Sequence, residues 1–307
     1  MKIVVVIVTY NPKKWLEKCL NSIMQSTIFL ETIIIDNKST DGSPLIIKNK
    51  FPEVTLIESN ENLGFGRGNN IGIAKAFSDG ADYVFLLNQD AWIQPDTITD
   101  LMIAHQKEPQ FGIVSPMHLN GNGNALDYKF SKYINPERCY NLYSDIFLNI
   151  IKKKIYPVNF INAAAWLISR ECLEIVGGFN PSFFHYGEDD NYVQRIKFHG
   201  FKIGVCPNSI IYHDRETTSE NRYFTDDKIV YSRSVILNMS NPINQFFFGK
   251  EYKKCYASLC KSLVLFKKKE IIQFFKRIKM LNHLNKKQII KNREESCKMQ
   301  PSFLNIK

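Results

Sequence analysis

The strongest constraint in this sequence is the run Ile-Val-Val-Val-Ile-Val at positions 3–8. An unbroken β-branched run this short suits a strand buried on both faces, and such strands belong to parallel sheets covered by helices. The next hundred residues keep that logic. Thr9-Tyr10-Asn11-Pro12 is a turn, after which Trp15, Leu16, Cys19, Leu20 and Ile23 recur at helical spacing. Thr32–Ile35 predicts a second strand ending at Asp36, and residues 37–43 a polar turn opening a short helix near Leu45–Lys48. Val54–Ile57 reads as a third strand, followed by a Gly/Asn-rich loop and a helix around Asn69–Phe77. Tyr83–Leu87 predicts a fourth strand that stops at Asn88-Gln89-Asp90. A helix from about Pro95 to His105 and a strand at Phe111–Ser115 complete the pattern.

Alternating strands and helices joined by short loops predict an α/β fold with a mostly parallel central sheet flanked by helices. Ligands of such sheets bind beyond the carboxyl ends of the strands. Polar residues cluster at four of those ends: Thr9 to Asn11, Asp36, Asn60 to Asn70, and Asn88 to Asp90. Residues 118–158 carry little periodicity beyond a GNGN loop at 121–124. From Phe160 a second unit begins: a small apolar segment at Ala163–Arg170, then a helix at Glu171–Val176 stopped by Gly177-Gly178. GEDDNYVQRIKFHG then predicts a helix, and Phe201–Val205 and Ser209–Tyr212 two short strands. The chain divides into a body at 1–245, with halves of about 1–117 and 118–245, and a C-terminal helical extension at 246–307.

Charge separates the same regions. The net +10 hides 16 Lys and Arg against 4 Asp and Glu in residues 250–307, and 24 against 26 in residues 1–249. A nearly neutral body with a cationic appendage argues against nucleic-acid binding. In the tail, Tyr256, Leu259, Leu263 and Phe266, then Ile271, Ile272, Phe275 and Ile278, keep a helical step between lysine clusters. Such helices either lie on an anionic membrane surface or pack their apolar stripe onto their own domain. No apolar run approaches the ~18 residues of a membrane span, and no small-residue cleavage site follows the first strand. The seven cysteines are scattered and none forms C-x-x-C, which speaks against a disulfide framework or zinc ribbon. A cytoplasmic, reducing location is expected.

The first strand end lacks the G-x-G-x-x-G of a dinucleotide fold, and no Walker loop is present. A nucleotide would need another counter-charge. A divalent ion serves, since Mg²⁺ takes one or two carboxylates plus phosphate oxygens, and Asp90 at a strand end fits that need. Glu188-Asp189-Asp190 place three carboxylates at a helix start. They suit proton abstraction, although the helix dipole alone also favours acids there.

Together, VTYN (8–11), DNKSTDGS (36–43), NENLGFGRGNNIG (60–72), LLNQDAWI (86–93), NAAAWLISR (162–170), GGF (177–179), GEDDNYVQR (187–195) and IIYHDRETTS (210–219) resemble the family 2 glycosyltransferases of GT-A fold, in their rhamnosyltransferase-like branch. The resemblance covers roughly residues 3–235. It implies a nucleotide-binding first half and an acceptor-binding second half. Thr9, Tyr10, Asn11 and Asp36 would line the nucleotide pocket, with Asn62, Arg67, Asn69 and Asn88 near it. Asp90, and His213 on a later strand end, would hold Mg²⁺ or Mn²⁺; Asn88 stands where the family usually has a first aspartate. Asp189 would be the base and Glu188 its acidic partner, with Asp190 the competitor one register step away. Arg195 would contact the diphosphate or brace the acids, and Trp166 would floor a pocket or simply pack. The implied reaction is inverting transfer of rhamnose or another hexose from a dTDP- or UDP-linked donor. The acceptor would be a glycan or lipid-linked hydroxyl in cell-surface polysaccharide or O-antigen synthesis, which suits a protein peripheral to the inner membrane face. The alternative is a catalytically inactive sugar-nucleotide-binding or scaffold protein, suggested by Asn88.

Overall fold

The computed structural model of the chain describes residues 1–215, 222–245 and 247–306. Residues 216–219 of the last family-like segment, and Phe246 at the start of the tail, lie outside them. The first half runs β1 (Ile3–Thr9), α1 (Leu16–Met24), β2 (Glu31–Asp36), α2 (Ser43–Lys50), β3 (Thr55–Glu58), α3 (Gly64–Ser78), β4 (Tyr83–Leu87), β5 (Ala91–Ile93) and α4 (Thr97–Lys107). β6 (Phe111–Asn120), α5 (Tyr128–Tyr133), α6 (Leu142–Phe147), β7 (Tyr156–Pro157), β8 (Ala165–Ser169), α7 (Arg170–Val176), α8 (Glu188–Phe198) and β9 (Lys202–His213) follow. The chain ends in α9 (Arg222–Thr225), α10 (Asp227–Ser240), α11 (Phe248–Val264), α12 (Lys268–His283) and α13 (Lys286–Ser296).

One sheet joins both halves, in the order β3-β2-β1-β4-β8-β6-β9-β5, with β7 on β9. The first four strands are parallel, as their apolar runs require. β8 enters antiparallel to both β4 and β6. Side chains alternate across the sheet. Ile3, Val5 and Ile7 pack under α1, α2 and α4, while Val4 and Val6 pack with α3, α7 and α8.

Two elements depart from the sequence reading. The Gly/Asn segment is not a loop before a helix: α3 begins at Gly64 and contains Gly66, Gly68 and Gly72. Glycine costs a helix about 1 kcal/mol relative to alanine, so packing must explain its presence. A Cβ on Gly72 would stand 2.4 Å from Val6 Cγ1, and one on Gly68 2.9 Å from Val8 Cγ1. The glycines let α3 press onto β1. The second departure is β9, a single strand where two were expected. Its register with β6 shifts between Pro116 and Met117, pairing Cys206 and then Ile210, so residues 207–209 bulge out.

The tail is helical as expected, and its apolar stripe divides. Leu259 and Ile278 join Val235, Met239, Cys255, Leu281 and Ile289 in a small core of their own, while Tyr256, Leu263, Phe266, Ile272 and Phe275 stay exposed. No helix among the described residues is long and apolar enough to cross a membrane.

Gly72→Ala should destabilise the protein by about 1–3 kcal/mol in urea denaturation, the usual cost of overpacking. Gly249→Ala, at a position with nothing within 4 Å of the new Cβ, should cost nothing. Equal midpoints for the two variants would refute the packing account.

Candidate functional site

The site grows from the carboxyl ends of β1, β2 and β4. Thr9 ends β1 and donates its hydroxyl to Asp36 Oδ1 at 2.9 Å. Asp36, buried at the end of β2, also accepts Ser39 N–H at 2.8 Å and the Ser39 hydroxyl at 2.5 Å. Its carboxylate therefore shapes the loop after β2. Asn11 takes a left-handed backbone (φ 49°), a conformation asparagine tolerates. Its Oδ1 accepts Thr40 N–H at 2.8 Å, stitching the two loops together. Exposed Tyr10 donates its N–H to Gln89 Oε1 at 2.7 Å, and Gln89 Nε2 donates back to the Tyr10 carbonyl at 3.2 Å. The β1 end is thus fastened to the Asn88-Gln89-Asp90 turn.

That turn meets β9. The antiparallel pairing of Ala91 with His213 sets Asp90 beside the histidine, and the Asp214 N–H closes the junction on the Asp90 carbonyl at 2.9 Å. Asp90 Oδ1 lies 3.3 Å from Nε2 of buried His213. Burial alone would raise the Asp90 pKa, but the hydrogen bond and charge of His213, with Arg215, outweigh it and hold the carboxyl below its ordinary value. Behind the histidine, Nδ1 faces Asp127 Oδ2 at 3.6 Å, too long for a hydrogen bond. Asp127 is itself held by Arg215 Nε at 2.5 Å and by the Phe130 N–H at 2.7 Å, where it caps α5.

The acidic helix start approaches from the other half. Glu188, at the start of α8, is buried and its Oε2 has no hydrogen-bond partner. Burial, then the charge of Asp189, push its pKa up to about 8. Asp190 is pushed up to about 7 by burial and Asp189, against the pull of Arg233. Burial also raises Asp189, against the lowering effect of the Asp190 N–H, which its carboxylate accepts at 2.9 Å, and of the Ala163 backbone nearby. Ala163 matters because its neighbour Ala164 accepts the Asn88 N–H at 2.9 Å. Two consecutive residues therefore touch the Asp189 carboxylate and the turn that carries Asp90. Tyr133, whose hydroxyl burial pushes up to about 12, also feels both groups: Asp189 and Asp190, and Asp127 and Arg215.

The other sequence-predicted residues stand elsewhere. Asn62 caps α3 by accepting Gly64 N–H at 2.9 Å. Arg67 is exposed and reaches the Pro181 carbonyl at 3.4 Å. Asn69 turns back to the Phe65 carbonyl at 3.0 Å, one helical turn before it. Arg195 neither faces a diphosphate nor braces the acids. It is fully buried two turns along α8 from Glu188, donating to the Gly178 and Val176 carbonyls at the end of α7 and stacked against Phe303. Burial lowers it to about 10, so it stays charged while capping that helix end. Trp166 is fully buried among Phe179 and Tyr192, hence packing. Sequence reading missed Gln89, Asp127 and Arg215. Only an N-cap signal, Asp127 ahead of α5, marked any of them.

The sequence profile described as Glycosyl transferase family 2 matches residues 4–175. An N-acetylglucosaminyl-diphospho-decaprenol L-rhamnosyltransferase of Mycobacterium tuberculosis is 25% identical over 231 residues, spanning 69% of this chain and 75% of that protein. An O-antigen chain rhamnosyltransferase, RfbN, of Salmonella typhimurium is 26% identical over 237 residues, 73% and 71% of the two chains. Among solved structures, S. aureus TarS 1-349 in complex with UDP-GlcNAc superposes with a TM-score of 0.53 at 17% identity, covering 78% of this chain and 67% of that one. The fold is the GT-A arrangement that the sequence implied.

The acidic cluster has a consequence for stability. The folded state holds Glu188 and Asp190 neutral at pH values where the unfolded chain has ionised, so unfolding releases protons there. Their contribution is whole below about pH 4 and is lost as pH rises to about 8. Glu188→Gln should therefore raise Tm at pH 8 and change it little at pH 5, read by calorimetry across pH. A variant curve running parallel to the parent would contradict this.

Proposed function

The chain belongs to family 2 of the glycosyltransferases, and on that premise we propose an inverting, metal-dependent enzyme that moves rhamnose or another hexose from a nucleoside diphosphate. The acceptor is a hydroxyl of a glycan or lipid-linked saccharide in cell-surface polysaccharide assembly. The observation that carries the reading is the Ala163–Ala164 junction, where the Asp189 carboxylate and the Asp90 turn meet. An inverting displacement needs a proton acceptor on one side of the anomeric carbon and charge neutralisation of the leaving diphosphate on the other.

Asp90 and His213 are the residues that would hold the divalent ion. Their side chains stand 3.3 Å apart, so one ion could be held by both. Among the described residues no group of three or more His, Cys, Asp or Glu side chains could hold a metal. Donor phosphates and water would complete the shell, as Mg²⁺ sites commonly use. The ion, when bound, would neutralise charge developing on the diphosphate. On the other side of the imidazole, Asp127, itself paired with Arg215, faces His213 Nδ1 at 3.6 Å.

Asp189 takes the acceptor proton as the acceptor oxygen bonds to the anomeric carbon and the bond to the diphosphate oxygen breaks. Burial raises its pKa and so makes it a stronger base than an ordinary aspartate. Glu188, neutral and buried beside it, spares it a second full charge. Thr9, Tyr10, Asn11 and Asp36 form the nucleotide end. A uridine diphosphate donor is supported by the likeness to a protein solved with UDP-GlcNAc, and rhamnose by the rhamnosyltransferase relatives. Asn88, uncharged in the metal turn, supports the second reading, an inactive sugar-nucleotide-binding protein.

A thermal-shift screen of UDP-, dTDP- and GDP-sugars with and without Mn²⁺ tests donor and metal together, since ligands of the folded state raise Tm. Asp90→Asn should abolish the Mn²⁺-dependent part. Asp189→Asn should leave donor binding intact and lower transfer by about 10²–10⁴-fold, the usual worth of a general base. Full activity in Asp189→Asn would pass the role to Asp190. Donor binding with no turnover on any acceptor would favour the inactive reading.

A further inference from the structure

The turn between α11 and α12 presents Leu263, Val264, Leu265 and Phe266, with Val264 76% and Phe266 88% exposed. The last buried leucine of α11 is Leu259, so Phe266 projects roughly 10 Å of helix beyond the small tail core. Lys261 precedes the apolar run and Lys267, Lys268 and Lys269 follow it, all exposed. Ile272 and Phe275 continue the exposed apolar side on α12. The tip is built, not frayed. Lys267 N–H reaches the Ser262 carbonyl at 2.9 Å, and Glu270 accepts both the Ser262 hydroxyl at 2.9 Å and Lys267 Nζ at 2.8 Å. Phe266 holds a left-handed backbone (φ 52°) at the helix end, a position usually given to glycine. A phenylalanine there spends local conformational preference on an aromatic ring that touches solvent.

We propose that this hairpin tip inserts into the headgroup layer of an anionic bilayer, with the four apolar residues below the phosphates and the lysines at their level. Charge complementarity selects this occupant. Residues 248–283 contain ten Lys and Arg against two Asp and Glu, and an apolar wedge ringed by cations matches an interface that is apolar below and anionic above. The roughly 10 Å reach equals the usual depth of interfacial helices. The inference stands apart from the transferase reading, because lipid binding requires neither donor nor turnover.

Co-sedimentation of the full chain with phosphatidylcholine vesicles, with and without about one third phosphatidylglycerol, tests it. Binding should be at least about tenfold tighter to the anionic vesicles and should weaken as salt rises. Val264→Glu/Phe266→Glu, both on the surface, should lose about tenfold or more of that binding while the donor-dependent thermal shift is unchanged. Lys267→Glu/Lys268→Glu should do the same for anionic vesicles. Absent binding to anionic vesicles, or undiminished binding by the variants, overturns the proposal. So does a parent dimer that Val264→Glu/Phe266→Glu converts to monomer with no vesicle binding, since the patch would then join two copies of this chain.

Discussion

The antiparallel entry of β8 beside β4 is the constraint from which the site follows. In a parallel pair, the end of β4 would face the residues that follow its neighbour. Running antiparallel, β8 instead brings the residues that precede it, Ala163 and Ala164, to the carboxyl end of β4. Small side chains there leave their backbone groups reachable. The Ala164 carbonyl takes the Asn88 N–H, and the Ala163 N–H points at Asp189. One reversal of strand direction thus joins a turn at residue 90 to a helix start at residue 189. A second antiparallel pairing, β5 against β9 at the edge of the sheet, delivers His213 to the same turn.

Electrostatics then decides what each acid can be. The two acidic groups have opposite environments. Asp90 is offset by His213 and Arg215, and its pKa falls despite burial. Among Glu188, Asp189 and Asp190, a cation, Arg233, acts on Asp190, and all three still rise. Three adjacent buried carboxyls cannot all be ionised without large repulsion. The deepest of them, Glu188, has an oxygen with no partner, and protonation is the cheapest way to keep it there. Neutral Glu188 lets Asp189 ionise beside it. The structure divides its carboxylates into one kept charged and one group shared among fewer protons than sites, the separation that assigns acid and base roles elsewhere.

Much of the fold was legible because its signals are local. The apolar runs of β1, β2 and β4 identify buried strands, and the helical spacing within residues 187–200 places α8. What failed to show was non-local. Glycines 64, 66 and 68 read as a loop because their helical cost is visible in sequence, whereas a reason for bearing it, the close approach of Gly68 to Val8, lies sixty residues away. Residues 201–205 and 209–212 read as two strands because the bulge that makes them one depends on pairing with β6. Arg195 looks like a site residue because it follows the acids on one helix. Seven positions along, it points instead to the end of α7, an orientation that depends on where α7 and residues 301–304 dock. Asp127 and Arg215 lie 88 residues apart and become a pair only through β6 and β9.

The tail's mixed outcome has a physical reason of the same kind. An amphipathic stripe in sequence states that one helix face wants burial, without saying against what. Here the stripe is used twice. Near the base of the hairpin, Cys255, Leu259, Ile278 and Leu281 meet α10 and α13. Beyond it, residues of the same stripe have no protein to cover them. The base is fastened, since α13 donates from Asn292 to Ser182 at 2.8 Å, and the Ser302 carbonyl accepts Gly178 N–H at 2.8 Å. The end of the tail is thus docked on the segment 177–187 that leads into α8 and Asp189, which fastens the base of the hairpin to the body and leaves its tip uncovered.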